Sequence, residues 1–145
     1  FETLYGASIR RIIPSYWDEG TLWGELFNQL RLAKITIEGQ YFSLYHSGEP
    51  EIDVEACAPI PPKLTDIPGA LVHTLPAVHK MATTIHQGSF SGLAGAFSAL
   101  LKWIDVHGYQ IAGPDRSIYL RLPEDGHSRK DPNAITEMQV PIKKA

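Results

Sequence analysis

The sequence predicts an α+β fold in which a β-α-β-β unit is written twice, giving an antiparallel sheet with helices on one face. Three observations carry this: an internal repeat, two amphipathic helical stripes of matching spacing, and two closing strands that each hold a mid-strand glutamate.

The repeat is visible when the chain is shifted on itself by 74 residues, so that Ser43-Leu44-Tyr45 falls on Ser117-Ile118-Tyr119. Ser15 then meets Ser89, Tyr16 meets Phe90, Trp23 meets Phe97, Leu26 meets Leu100 and Leu30 meets Ile104. Gly39 meets Gly113, and no gap is needed from Ser15 to Tyr45. The closing strands match at a shift of 82, which puts Glu55 on Glu137 and implies a longer last loop. Ordered coincidence of this kind is the mark of duplication.

Each half reads alike. A first strand is expected at Leu4–Ile13 and at Ala77–His86. In the first helix Leu22, Trp23, Leu26, Phe27 and Leu30 form one apolar stripe. Leu93, Ala96, Phe97, Leu100, Leu101 and Ile104 form the second. Ser15, and Ser89 or Ser91, are expected as N-caps, with Asp18 and Glu19 as acids that favour the helix dipole. Strands follow at Gln40–His46 and Glu51–Ala58, then at Ser117–Leu122 and Ile135–Ile142. The last of each pair alternates polar and apolar residues with period two. The Pro-rich stretch Pro59–Gly69 reads as the linker, and Glu124–Ala134 as an exposed loop, a candidate flap. The expectation is a single domain over residues 1–145, with repeat 1 at about 1–60 and repeat 2 at about 70–145. A ligand cleft is expected along the pseudo-twofold seam of the halves.

Composition narrows the function classes. The chain has 145 residues, 43% hydrophobic and 20% charged, with a net charge of −3. Basic residues form no run longer than a pair such as Lys143-Lys144 at the tail, so direct nucleic-acid binding by this chain is not expected. No apolar run approaches the roughly 18 residues of a membrane span. A single cysteine, Cys57, allows no internal disulfide and suits a reducing cytoplasm; it reads as a small buried residue. The six histidines show no metal-ligand spacing, so neither a metal nor another cofactor is expected. Gly88-Ser89-Phe90-Ser91-Gly92 is a near miss to a nucleophile elbow, with Phe90 in the serine's place. The chain opens on Phe1, which reads as a fragment or a processed protein.

The candidate site is acidic and aromatic. Glu137 and Glu55 stand on equivalent strands, and Tyr45 and Tyr119 on their neighbours. Tyr16 and Trp17 precede the first helix, Phe90 precedes the second, and Tyr109 follows it. Aromatic rings and a carboxylate suit a flat, lipophilic cation through apolar area, cation–π attraction and counter-charge. The competing reading has Glu55 and Glu137 facing solvent or paired with Arg116, Arg121 or lysines, and the tyrosines in the core. Trp23, Phe27 and Phe97 lie on the helical stripes and read as core packing.

Several stretches resemble one family. They are Ala7-Ser8-Ile9-Arg10-Arg11-Ile12-Ile13-Pro14-Ser15-Tyr16, Leu75-Pro76-Ala77-Val78, and Gly108-Tyr109-Gln110-Ile111-Ala112-Gly113-Pro114-Asp115-Arg116-Ser117-Ile118-Tyr119-Leu120. Thr136-Glu137-Met138-Gln139-Val140-Pro141-Ile142 closes the series. Together they resemble the GyrI-like small-molecule-binding domain, known as the effector-binding half of MerR- and AraC-type bacterial regulators. The resemblance implies a cleft for bulky, often cationic or aromatic compounds, and makes Glu137 the first candidate for the ligand-facing acid. Tyr119 stands where some relatives carry a further acid. A regulator would carry its DNA-binding domain outside this chain, and a monomer or dimer is expected. The resemblance also covers hydrolases of strained, cyclopropane-containing toxins, in which Glu137 would act as general base, and a gyrase inhibitor. Binding is the leading expectation, ahead of turnover.

Overall fold

A computed structural model describes residues 4–37, 39–48, 50–61, 67–121 and 132–145. Of Trp17 only the backbone is described, and the candidate flap lies largely outside the described residues. The fold is α+β, with eight strands and two helices among the described residues, and the chain divides into two compact units, Phe1–Val78 and His79–Ala145.

The first unit runs β1 (Leu4–Ile13), a 3-10 turn (Tyr16–Asp18), α1 (Glu19–Leu32), β2 (Phe42–Ser47), β3 (Ile52–Pro59) and β4 (Leu71–Leu75). Its strands lie in the order β4-β1-β3-β2, each neighbour antiparallel. Strand alternation decides what each face carries. Ala7, Ile9 and Ile13 of β1 and Ile52, Val54, Ala56 and Ala58 of β3 pack against Leu22, Leu26 and Leu30 of α1. The intervening residues, among them Ser8, Arg10, Asp53, Glu55 and Cys57, therefore point away from α1.

The second unit runs β5 (Met81–Gln87), a 3-10 turn (Phe90–Gly92), α2 (Leu93–Val106), β6 (Tyr109–Ile111), β7 (Asp115–Arg121) and β8 (Ile135–Lys144). Here β8 lies between β7 and β5 and also pairs β6, again antiparallel. Ala82, Met138, Val140 and Ile142 pack against Leu100 and Ile104 of α2. Thr83, Ile85, Arg116, Ile118, Glu137 and Gln139 take the opposite face.

The registers of the two units superimpose in sequence. Leu44 opposes Glu55 as Ile118 opposes Glu137, and Tyr45 opposes Val54 as Tyr119 opposes Thr136. The register breaks at Tyr45/Ser47 in one unit and at Tyr119/Arg121 in the other, the same place in each repeat. Gly39 lies against Pro59 and Gly113 against Pro141, a Cβ at either glycine falling 3.5 Å from the ring. Both helices end in a left-handed residue: Lys34 at φ 57° after α1, and Gly108 at φ 78° after α2. At the first, Ile35 N–H donates to Leu30 O (3.0 Å) and Lys34 N–H to Arg31 O (3.1 Å), a Schellman closure.

Some boundaries differ from expectation. β4 falls within the residues expected as repeat 2, about 70–145, but it pairs β1 and lies in the first unit, which extends to Val78. The strand expected at Ala77–His86 begins at Met81, and β6 was not foreseen. Ser15 does not cap through its side chain. Its Oγ donates to Asp18 Oδ2 (2.9 Å), because a 3-10 turn intervenes before α1. Ser89 likewise opens a 3-10 turn, its Oγ sharing a hydrogen bond with Ser91 Oγ (2.7 Å). A Cβ at Gly92 would stand 2.7 Å from the outer edge of the His86 ring, so a larger residue there would displace that ring.

Candidate ligand-binding residues

The two mid-strand glutamates have unlike surroundings. Glu55 is 3% exposed and saturated. Ser8 Oγ donates to Oε2 (2.5 Å), His73 Nε2 lies 2.7 Å from Oε2, and His46 Nε2 lies 2.9 Å from Oε1. His73 reaches the acid from β4, where its cross-strand partner is Gly6, which offers no side chain in the way. His46 is the extra residue at the β2 bulge, which turns its ring back toward β3. Burial pushes the Glu55 carboxyl upward. Hydrogen bonds from Ser8, His46 and His73, with the charge of His73, outweigh that and hold it below the usual glutamate value. Alongside, Arg10 and Asp53 form a bidentate pair at 2.9 and 2.8 Å. Glu55 thus pairs with histidines rather than with Arg116 or Arg121.

Glu137 is half-buried between Ile85 on β5 and Ile118 on β7, with no hydrogen bond or ion pair among the described residues. The repeat explains the contrast. Thr83 stands where the first unit has Ser8, Leu120 where it has His46, and among the described residues of the second unit nothing corresponds to His73.

The tyrosines lie on the other face of their strands. Tyr45 is in the row of Val54, on the α1 side, and Tyr119 is in the row of Thr136, on the α2 side. Glu55 therefore does not meet Tyr45, nor Glu137 Tyr119, because adjacent rows point to opposite faces. Each tyrosine instead meets the aromatic residue of its 3-10 turn. Tyr16 stands edge-on to Tyr45 and Phe90 tilts against Tyr119, with ring centroids 5.9 Å apart in both pairs.

The acid that does meet Tyr45 is Glu19, read from sequence only as a helix-dipole acid. Tyr45 Oη donates to Glu19 Oε1 (2.5 Å), and Ser43 Oγ and Trp23 Nε1 donate to Oε2 (3.0 and 3.2 Å). The signal was present: Glu19 and Trp23 are four apart on one helix, and Ser43 and Tyr45 two apart on one strand. Trp23, Phe27 and Tyr41 form a neighbouring cluster with centroids 5.4–5.5 Å apart. Phe27 is 37% exposed, so its side of the stripe reaches the surface rather than the core.

Tyr109 is separate from Phe90 and Tyr119. It stacks on Trp103 (6.1 Å, 8°), and Lys80 Nζ lies 5.1 Å from its ring centroid. An open cavity of about 290 Å³ in the second unit is lined by Ala82, Thr84, Ala96, Leu100 and Trp103, among others. Asp115 on β7 is pushed up by burial to about 6. Among the described residues no group of three or more His, Cys, Asp or Glu side chains is placed to hold a metal ion. No helix there is long and apolar enough to cross a membrane.

The model of the GyrI-like small molecule binding domain matches residues 15–143. The chain belongs to the GyrI-like family. This GyrI-like domain is similar to the crystal structure of the EcmrR C-terminal domain, at 23% identity and a TM-score of 0.86, covering 100% of this chain and 94% of that one. In the EcmrR–DNA complex the TM-score is 0.85 at 23% identity, and this chain spans 56% of the EcmrR chain. It is also similar to SAV2435 bound to tetraphenylphosphonium, at 16% identity and a TM-score of 0.65, covering 99% of this chain and 90% of that one. A hydrolase from Listeria innocua shares the fold at 11% identity and a TM-score of 0.63, covering 98% of this chain and 88% of that one. No curated protein matches the sequence. At these identities the structural likenesses establish the fold of the GyrI-like domain.

Proposed function

We propose that this GyrI-like domain binds bulky hydrophobic compounds, preferentially cationic or aromatic ones, without turning them over. It acts as the sensor domain of a transcription regulator whose DNA-binding domain lies outside this chain, or as a stand-alone drug-binding protein. The observation that carries this reading is the aromatic pair repeated in each unit, Tyr16 with Tyr45 and Phe90 with Tyr119. Such pairs offer flat apolar area, and Tyr16 is 42% exposed. Glu137 supplies a second element of the reading. A half-buried carboxylate between two isoleucines is incompletely hydrated, and a lipophilic cation that pairs with it removes that cost. Support also comes from the tetraphenylphosphonium bound to SAV2435 and from the EcmrR effector domain.

Titration with a fluorescent cation of the rhodamine type, beside a neutral dye of similar size, tests this. Saturable binding of the cation, with the dye recovered chemically unchanged, is the expected result. Absence of binding of either dye would overturn the reading and point to a protein partner. Consumption of an electrophilic ligand, lost in Glu137→Gln, would replace binding by hydrolysis.

A further inference from the structure

The open cavity of about 290 Å³ in the second unit lies between α2 and β5. Ala82 and Thr84 line it from β5, and Ala96, Ala99 and Trp103 from α2. The repeat explains why space is left there. In the first unit Leu22 stands at the position of Ala96, Ile9 at that of Thr84 and Glu25 at that of Ala99. Leu22 and Ile9 are buried in the first core, and Glu25 accepts two hydrogen bonds from Arg11 at 3.0 and 2.8 Å. Each of the three is replaced by a smaller side chain, and the volume they fill in one unit is open in the other. The outer edge of β1 is paired by β4, whereas β5 pairs β8 alone among the described strands.

A second feature ends the same groove. Lys80 stands two residues before Ala82 and four before Thr84, so alternation puts it on the α2 side with them. Its Nζ lies 5.1 Å from the Tyr109 ring centroid, and Tyr109 stacks on Trp103, the aromatic wall of the cavity. Lys144 is the cross-strand partner of Tyr109 and leaves the same face of the ladder. Neither lysine makes an ion pair among the described residues. The first unit has Tyr5 in place of Lys80, so cavity and cation occur together in the second unit alone.

We propose that this cavity binds a small aromatic carboxylate, its rings between α2 and β5 and its carboxylate at Lys80 and Lys144. A cavity of roughly 150 Å³ suffices for benzene, so this one takes one or two fused rings. A neutral aromatic gains from the apolar walls alone. An inorganic anion gains only from exposed lysines, which is little. An aromatic carboxylate gains from both. The site and its charge preference are separate from the ligand binding proposed above.

The test follows the isotope-labelled chain by NMR during titration with naphthoate, and with naphthylmethanol as the neutral analogue of the same rings. Saturable shifts are expected at the amides of Ala82, Ala96 and Ala99 and at the Trp103 indole, with naphthoate bound about tenfold more tightly than the alcohol. Ala96→Leu, which copies the first unit, should weaken both compounds by about tenfold by filling the cavity. Lys80→Gln should weaken naphthoate severalfold and leave the alcohol unchanged. Shifts absent from those residues, or affinities unaltered by Ala96→Leu, would overturn the site. Equal affinity for the two compounds, or naphthoate binding indifferent to Lys80→Gln, would overturn its selectivity and the proposal with it. Should Ala96→Leu fail to melt cooperatively, Ala99→Leu, at an exposed position on the cavity wall, takes its place with the same expectation. Binding of the rhodamine-type cation is read separately. Its absence would overturn the function proposed above and leave this site standing, and absence of naphthoate binding would do the reverse.

Discussion

His73 Nε2 stands 2.7 Å from Oε2 of Glu55, reaching from β4 across the side-chain-free Gly6. With His46 on the other oxygen and Ser8 donating to Oε2, this contact makes a mid-strand glutamate a structural element of the first unit. Replacing Glu55 by Ala should cost about 3 kcal/mol, read from the denaturant midpoint at pH 7, because buried Ser8 and the half-buried His46 and His73 lose their acceptor. Glu137→Gln, at the equivalent position without such partners, should stay within about 0.5 kcal/mol. Equal effects at the two sites would contradict the assignment.

The pH dependence follows from the same cluster. Glu55 titrates below its ordinary 4.5 in the folded chain, so the unfolded chain takes up the proton first. Its contribution is therefore complete above the unfolded value and fades as pH falls through the folded one. The stability difference between the unaltered chain and Glu55→Gln should shrink as pH falls from about 4.5 toward 3. A difference that grew on acidification would reverse the sign argued here.

Asp115 behaves in the opposite sense. Burial raises it from 3.8 to about 6, so the folded chain holds the proton more tightly than the unfolded one. Stability is lost as pH rises between those values. Asp115→Asn should gain about 2 kcal/mol over the unaltered chain at pH 7.5 and little at pH 3.5, by thermal melting at the two pH values.

Lys34 closes α1 at φ 57°, where α2 uses Gly108. A Cβ in the left-handed region is strained, and glycine relieves it. Lys34→Gly should raise stability by roughly 0.5–1 kcal/mol, whereas Gly108→Lys should lower it by a similar amount. Chemical denaturation of both variants decides this.

Tyr45 and Glu19 should be energetically coupled. Tyr45→Phe keeps the ring and removes the donor. In a double-mutant cycle with Glu19→Gln, the coupling should be about 1 kcal/mol. Independent effects would indicate that the 2.5 Å contact carries no stabilisation.

Much of the architecture was legible in the residues. The helical stripes at Leu22, Leu26 and Leu30 and at Leu100 and Ile104 are the buried faces of α1 and α2, because a 3.6-residue period leaves one face to bury. The first strand runs over Leu4–Ile13 as expected. The repeat was legible because duplicated registers preserve residue order, down to the bulge after Tyr45 and Tyr119. β4 and β6 were not legible. Both are short strands whose place depends on a partner distant in sequence, β1 and β8 respectively.

The sequence by itself determined both helices and the longer strands, that the unit is written twice, and that acids and aromatics recur at matched places. Only the tertiary structure decided which of them meet. Side-chain period assigns Glu55 and Tyr45 to opposite faces, but contacts depend on which strand lies alongside and which residue bulges. Thus His46 and His73, 27 positions apart in the numbering, close on Glu55. Glu19, from a helix start, closes on Tyr45. Such contacts arise from strand register and helix docking, which are properties of the packed chain rather than of any local stretch.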